Sequence, residues 1–174
     1  GTTFLSGDQT YKAAGGGKVL QVQSMTYGTE ESTSNDAYVN TSITDSITPA
    51  STSNKIIILV SIPYISQRTG TGGGSASTRT RTSAALFRGD VGGTKLLEGQ
   101  MGYNMGGTGS ADSGHVWTSL VTFSYIDSPS TTSAQTYTIG HMGLAGSSDY
   151  TSYTTSYYFA SSTSTMTLIE IDGT

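Results

Sequence analysis

The residue types that could do chemistry lie closest together at Asp112-Ser113-Gly114-His115, where an acid, a hydroxyl and an imidazole share one loop. Nucleophilic catalysis needs a serine beside a histidine that an acid holds in place. This cluster lacks both that spacing and a nucleophile elbow, and in so serine-rich a chain proximity to a histidine is no signal. The other histidine, His141, falls in a predicted strand and is expected to make an ordinary hydrogen bond. A sugar-cleaving site would need paired carboxylates. The acids are instead scattered: Glu30, Glu31 and Asp36 in a loop region, Asp45 and Asp127 ahead of prolines, Glu170 and Asp172 close to the last residue. These read as solvated turns and caps. Gly70-Thr71-Gly72-Gly73-Gly74-Ser75 is not a phosphate loop, because neither Gly-Lys-Ser/Thr nor a predicted helix follows it. Arg88-Gly89-Asp90 matches an integrin-binding tripeptide but sits between two predicted strands, as a turn would. The chain has no cysteine, which excludes disulfides and thiolate metal sites, and neither histidine has partners at metal-ligand spacing. No catalytic residue, cofactor or metal is expected.

The elements that would position these residues are strands. Eight basic residues against twelve acidic ones give a net charge of −4, which argues against a nucleic-acid surface. Arg79, Arg81 and Arg88 form the only basic patch, read as a solvated strand face. No run of 18 or more apolar residues exists, so no membrane-inserted helix is predicted. Only 34% of the chain is hydrophobic, yet the low net charge, 11 tyrosines and β-branched runs favour short strands over disorder. Helical periodicity is nowhere sustained. Period two marks eight segments: 18–26, 36–47, 55–66, 79–88, 95–101, 115–126, 134–142 and 163–171. Around Trp117, the residues Val121, Phe123 and Tyr125 point one way and Thr118, Thr122 and Ser124 the other, as in a sandwich strand with one dry face. The expected fold is all-β: an antiparallel β-sandwich, jelly-roll-like, with about eight strands.

One strand breaks the pattern. Ile56, Ile57, Ile58, Leu59, Val60 and Ile62 make both of its faces apolar, which predicts an oligomer interface and a homotrimer, with Pro63 placing its second half at an edge or bulge. If strands alternate direction, the short connections 48–54, 89–94 and 127–133 share one end with the N-terminus. The longer connections 27–35, 67–78, 102–114 and 143–162 share the other. Tyr103, Asn104, Tyr150, Tyr153 and Tyr157, with Tyr158, lie in or beside those longer loops. Tyr, Ser, Gly and Asn suit adaptable binding loops, so these residues are candidate ligand contacts; the alternative is that the tyrosines cover the core of the last hairpin.

A phrase occurs twice. Thr48-Pro49-Ala50-Ser51-Thr52-Ser53-Asn54-Lys55 leads into Ile56-Ile57-Ile58-Leu59-Val60, and Ser128-Pro129-Ser130-Thr131-Thr132-Ser133-Ala134-Gln135 leads into Thr136-Tyr137-Thr138-Ile139. Each is a hydroxyl-rich turn opening at a proline into a strand. Ahead of them, residues 1–17 carry few apolar anchors and finish in Gly15-Gly16-Gly17, a flexible joint. They read as a tether, or the end of a preceding fibre segment, with 18–174 as the folded domain.

Gly15-Gly16-Gly17-Lys18-Val19-Leu20-Gln21-Val22, both turn phrases and Ser164-Thr165-Met166-Thr167-Leu168-Ile169-Glu170-Ile171 resemble a C-terminal β-domain of tailed-bacteriophage virion proteins, found in tail and surface fibres. Phe4-Leu5-Ser6-Gly7-Asp8-Gln9-Thr10-Tyr11 is similar to a short tail-fibre phrase ending in Gly-Thr-Trp, with Gln9 and Tyr11 as departures. The resemblance implies a non-enzymatic structural protein on the surface of a phage particle. It would be the distal module of a tail fibre that attaches to a host-surface glycan or protein; the alternative is a capsid decoration or head-fibre protein that stabilises the virion. Residues 1–17 would then meet other virion proteins, with no nucleic-acid contact and no membrane insertion.

Overall fold

Alternation of apolar and polar residues decides which way each strand faces. The computed structural model describes residues 3–5, 11–13, 18–33, 35–68, 78–105, 116–145, 153–157 and 162–173, and side chains within 18–33, 35–64, 82–99, 118–143 and 162–173. Strands β1 (Thr3–Leu5) and β2 (Tyr11–Ala13) pair in a small sheet of their own. The rest follow as β3 (Val19–Tyr27), β4 (Glu31–Thr33), β5 (Val39–Ile47), β6 (Lys55–Arg68), β7 (Thr78–Arg88) and β8 (Thr94–Met105). After them come β9 (Val116–Asp127), β10 (Gln135–Ala145), β11 (Tyr153–Tyr157) and β12 (Ser164–Ile171). The eight long strands among these fall on the eight segments expected from period two.

All strand pairs are antiparallel. One sheet runs β3-β12-β6-β9, the other β5-β10-β7-β8. Among the eight long strands only β7 and β8 are consecutive in the chain and paired. Every other connection crosses from one sheet to the other, which is the connectivity of a jelly roll. The short strands β4 and β11 prolong the first sheet beyond β3 and β12, with β11 pairing both β6 and β4.

The central strand β6 explains the core. Ile56, Ile58, Val60, Ile62 and Tyr64 point between the sheets and are buried, against Leu168 and Met166 of β12, Phe123 of β9 and Ile139, Leu86 and Ile43 of the facing sheet. Burying each such side chain contributes about 1.5–3 kcal/mol. Ile57 and Leu59 lie on the opposite face, with Leu59 41% exposed. The apolar character of β6 therefore has two causes: its even residues form this chain's own core, and only Ile57 and Leu59 of the expected interface set face outward. Ile56, Ile58, Val60 and Ile62 are covered within the chain and cannot meet another copy.

Pro63 lies neither at a sheet edge nor at a bulge. On one side β6 pairs with β12 as far as Ser61↔Thr165 and with β11 from Ile65↔Ser156, while β9 runs alongside the other. Pro63 falls in the interval between two partners, where a residue without an N–H removes no ladder bond on that side.

The loop expectation holds in part. Ile47 pairs with Gln135 and Ile56 with Asp127, so the turns 48–54 and 128–134 sit at one end, beside the start of β3. At the other end strands run further than expected. β8 continues to Met105 and β10 to Ala145, so 102–105 and 143–145 are strand, and β11 lies within what read as one loop.

Two predictions test this packing. Ile58→Ala, at a position fully buried in the core, is expected to cost about 2–5 kcal/mol in urea unfolding. Ser130 adopts φ 54, the left-handed region that glycine occupies without strain. Ser130→Gly is therefore expected to leave stability unchanged or raise it by up to about 1 kcal/mol, whereas Ser130→Val should lower it.

Candidate functional site

The two turn phrases share one end of the sandwich, and two buried carboxylates tie that end together. Glu170 on β12 is fully buried. Its Oε1 accepts from Asn54 Nδ2 at 2.6 Å and from the Ala50 amide at 2.7 Å, and its Oε2 accepts from Gln21 Nε2 at 2.6 Å. Gln21 also donates to the Thr48 carbonyl, and Asn54 Oδ1 accepts from the Gly173 amide. One carboxylate thus joins the first long strand, the last strand and the first proline turn. Burial alone would push its proton affinity up, but donors from Asn54, Gln21 and Ala50 together hold the carboxyl below its usual value.

Asp127 does the same for the second turn. Its Oδ2 accepts from the buried Tyr137 hydroxyl at 2.8 Å and lies 3.1 Å from Arg88 Nη1. Burial, then the neighbouring Asp127, raises the Tyr137 hydroxyl far above its usual value, so it acts as a permanent donor. Arg88 is therefore engaged, and the Arg88-Gly89-Asp90 tripeptide is a fastened turn: the Gly89 amide donates to the Thr136 carbonyl and the Gly93 amide to that of Asp90. Val91 folds onto β10 and its amide donates to Asn40 Oδ1. Gly140 leaves room for it, since a Cβ there would stand 2.5 Å from Val91 Cγ2.

Neither carboxylate is open to a substrate, so this end is a rigid joint, not a reaction centre. Sequence reading placed both acids in solvated turns and caps. The signal that could have corrected it is parity: Glu170 occupies the same alternating face of β12 as Leu168 and Met166.

A third polar group ties β4 to β3 and β5. Glu31 accepts from the Tyr27 hydroxyl and, through both oxygens, from the Ser42 amide. Burial opposes its ionisation, but the Ser42 and Tyr27 bonds prevail and hold its carboxyl below the usual value. His141 lies 2% exposed on β10, and burial pushes its imidazole down to about 4 despite the nearby Glu31. It is a neutral interior residue and not a candidate base. Among the described residues no group of three or more His, Asp or Glu could hold a metal ion. Asp112, Ser113 and His115 lie outside the described residues.

The candidate ligand contacts divide. Tyr103 and Asn104 lie on β8, paired with Thr80 and Arg79 of β7. Tyr153 and Tyr157 are the first and last residues of β11, opposite Arg68 and Glu31. These four are strand residues rather than loop residues, and Tyr103, Asn104 and Tyr153 belong to the end opposite the carboxylate joint. Tyr150 and Tyr158 lie outside the described residues.

Proton linkage separates the joint from the core. His141 is depressed in the folded state, so its contribution is complete above pH 6.5 and is lost as pH falls from 6.5 towards about 4. Within that window unfolding free energy is expected to fall by on the order of 1 kcal/mol per pH unit. Glu170 is also depressed, so its contribution is present above about pH 4.5 and lost only as pH falls further. Urea titrations across pH 3–7 should show both phases, with His141→Gln removing the upper one and Glu170→Gln reducing the lower, which Glu31 shares. At pH 7, Glu170→Ala strands three donors and is expected to cost about 3 kcal/mol.

No family model and no curated protein matches the sequence. Among solved structures the chain is similar to the VP2 subviral particle protein of infectious bursal disease virus, at 11% identity over 89% of this chain and 34% of that one, with a TM-score of 0.41. It is also similar to a chain of the T13 particle of the same virus, at 10% identity over 94% of this chain and 40% of that one, with a TM-score of 0.38. The chain spans about a third to two fifths of the length of those proteins, and no role follows from likeness at this level.

Proposed function

We propose that the chain is a non-enzymatic structural module of a bacteriophage virion, placed distally on a tail fibre and used for attachment to the host surface. The observation that carries this reading is the joint end. The two turn phrases that resemble phage fibre domains form neighbouring corners of the sandwich, and each is secured by its own buried carboxylate, Glu170 or Asp127. A sequence phrase with a dedicated structural partner is more than a chance run of hydroxyl residues. The domain's first long strand, β3, starts at this fastened end, as suits a module carried on a shaft, and Tyr103 and Tyr153 lie at the far end. Adhesion needs no titrating group or cofactor: aromatic area and hydroxyls suffice.

Particle labelling tests the assignment. A gold-conjugated antibody against residues 18–174 is expected to decorate the tips of tail appendages. Gold spread over the head would instead make the chain a capsid decoration or head-fibre protein, and labelling of neither would overturn the virion reading. For attachment itself, Tyr150→Ala combined with Tyr153→Ala is expected to reduce adsorption to host cells at least tenfold without changing the oligomer. Adsorption that survives the double substitution would remove those residues from the receptor site.

A further inference from the structure

The large apolar residues that remain exposed are unevenly placed. Val19, Leu20, Val22, Leu59, Leu120 and Ile126 are between 41% and 61% exposed, and all belong to β3, β6 or β9 of one sheet; none of the described residues of the other sheet joins them. Register aligns them. Val22, Ile169, Ile57 and Ile126 form one continuous row across β3, β12, β6 and β9, on the face turned away from the core. The next row is Ser24, Thr167, Leu59 and Ser124, and the one after it Thr26, Thr165, Ser61 and Thr122. Beyond these Pro63 stands opposite Leu120. None of the residues in these rows is charged, and Lys55 at the turn end is the nearest charge on the same face of β6.

We propose that this outer face is where a second copy of the chain docks, sheet against sheet. Charge selects the occupant. The chain carries a net charge of −4, so identical copies repel wherever acids face one another, and like charges in contact are costly. On this face they meet without that cost, and the Ser and Thr rows can hydrogen-bond across a shared seam. A nucleic acid or an acidic protein would require basic residues, which the rows lack. A lipid surface would require a continuous apolar face flanked by Lys and Arg, whereas here two hydroxyl-rich rows separate Ile57 from Pro63. The size is also sufficient. Four strands about 4.8 Å apart and some seven residues at about 3.3 Å cover on the order of 500 Å² in plan. Side-chain relief brings this to the same order as the roughly 800 Å² per partner of a stable interface. Facing sheets pack about 10 Å apart with strands about 30° from parallel, a geometry open to any flat, uncharged sheet.

The proposal concerns self-association and does not depend on virion location, so the two can fail separately. The test uses the full chain of 174 residues, 18.0 kDa, in sedimentation equilibrium from about 1 to 100 µM. The wild type is expected to exceed the mass of one chain, whether as dimer or trimer. Val22→Lys and Ile126→Lys add charge at exposed positions on the two outermost strands of the row, where folding should tolerate it. Each is expected to weaken association at least tenfold while circular dichroism and melting of the dilute protein stay unchanged. Thr132→Lys, on an exposed turn away from the face, should leave association intact. A wild type that remains a single chain at 100 µM would overturn the proposal. So would association that survives both face substitutions, or that Thr132→Lys disrupts equally.

Discussion

The alternation of β6 is the constraint on which the rest of the molecule depends. It is bonded to β12 and β11 along one side and β9 along the other, and its even-numbered residues Ile56 to Tyr64 supply the middle of the core. A one-residue slip would turn that apolar set to solvent and bring Lys55, Ser61 and Pro63 inside. Register is therefore fixed by burial, and the sheet that packs opposite must accept what β6 presents. The long strands are consequences of that choice: β12 and β9 match it in parity, and β5, β10 and β7 complete the core from the facing sheet.

The carboxylate joint is stabilising only because it is complete. A buried charge costs several kcal/mol unless its lone pairs are met, and Glu170 meets that condition with neutral donors from one strand and one turn. The arrangement differs from an ion pair, because no cation has to be desolvated with it. It also dictates geometry: the proline turn cannot move relative to β3 and β12 without stranding a donor. At the second corner Asp127 combines the neutral Tyr137 hydroxyl with an ion pair to Arg88.

Much of the fold was legible because period two survives in most strands. The eight long segments, the sandwich and the shared end of the two proline turns all follow from alternation and turn chemistry. What was not legible has physical causes. Parity along a lone strand cannot tell a core face from an interface face when both carry Ile and Leu, so Ile56, Ile58, Val60 and Ile62 read as candidates for association when they line this chain's own interior. Short strands such as β4 and β11 hold too few residues to show a period, and β11 was hidden among loop-like Ser, Thr and Tyr. Glu170 and Asp127 gave no sign of their hub role because their donors lie far away in sequence, at Gln21, Asn54, Arg88 and elsewhere. The setting of Pro63 was not legible because a change of strand partner in mid-strand leaves no mark on composition.

The position of β12 has a consequence for how the chain is made. It lies between β3 and β6, yet it is synthesised after every other strand described. Until it arrives, β3 has no partner in its sheet and the edge of β6 from Lys55 to Ser61 is open. An unpaired apolar edge held open through translation is a template for pairing with another nascent chain. Closure waits on non-local contacts, which makes it slow. Insertion of the last strand also delivers Glu170 to Gln21 and Asn54, so the step that seals the sheet locks the corner.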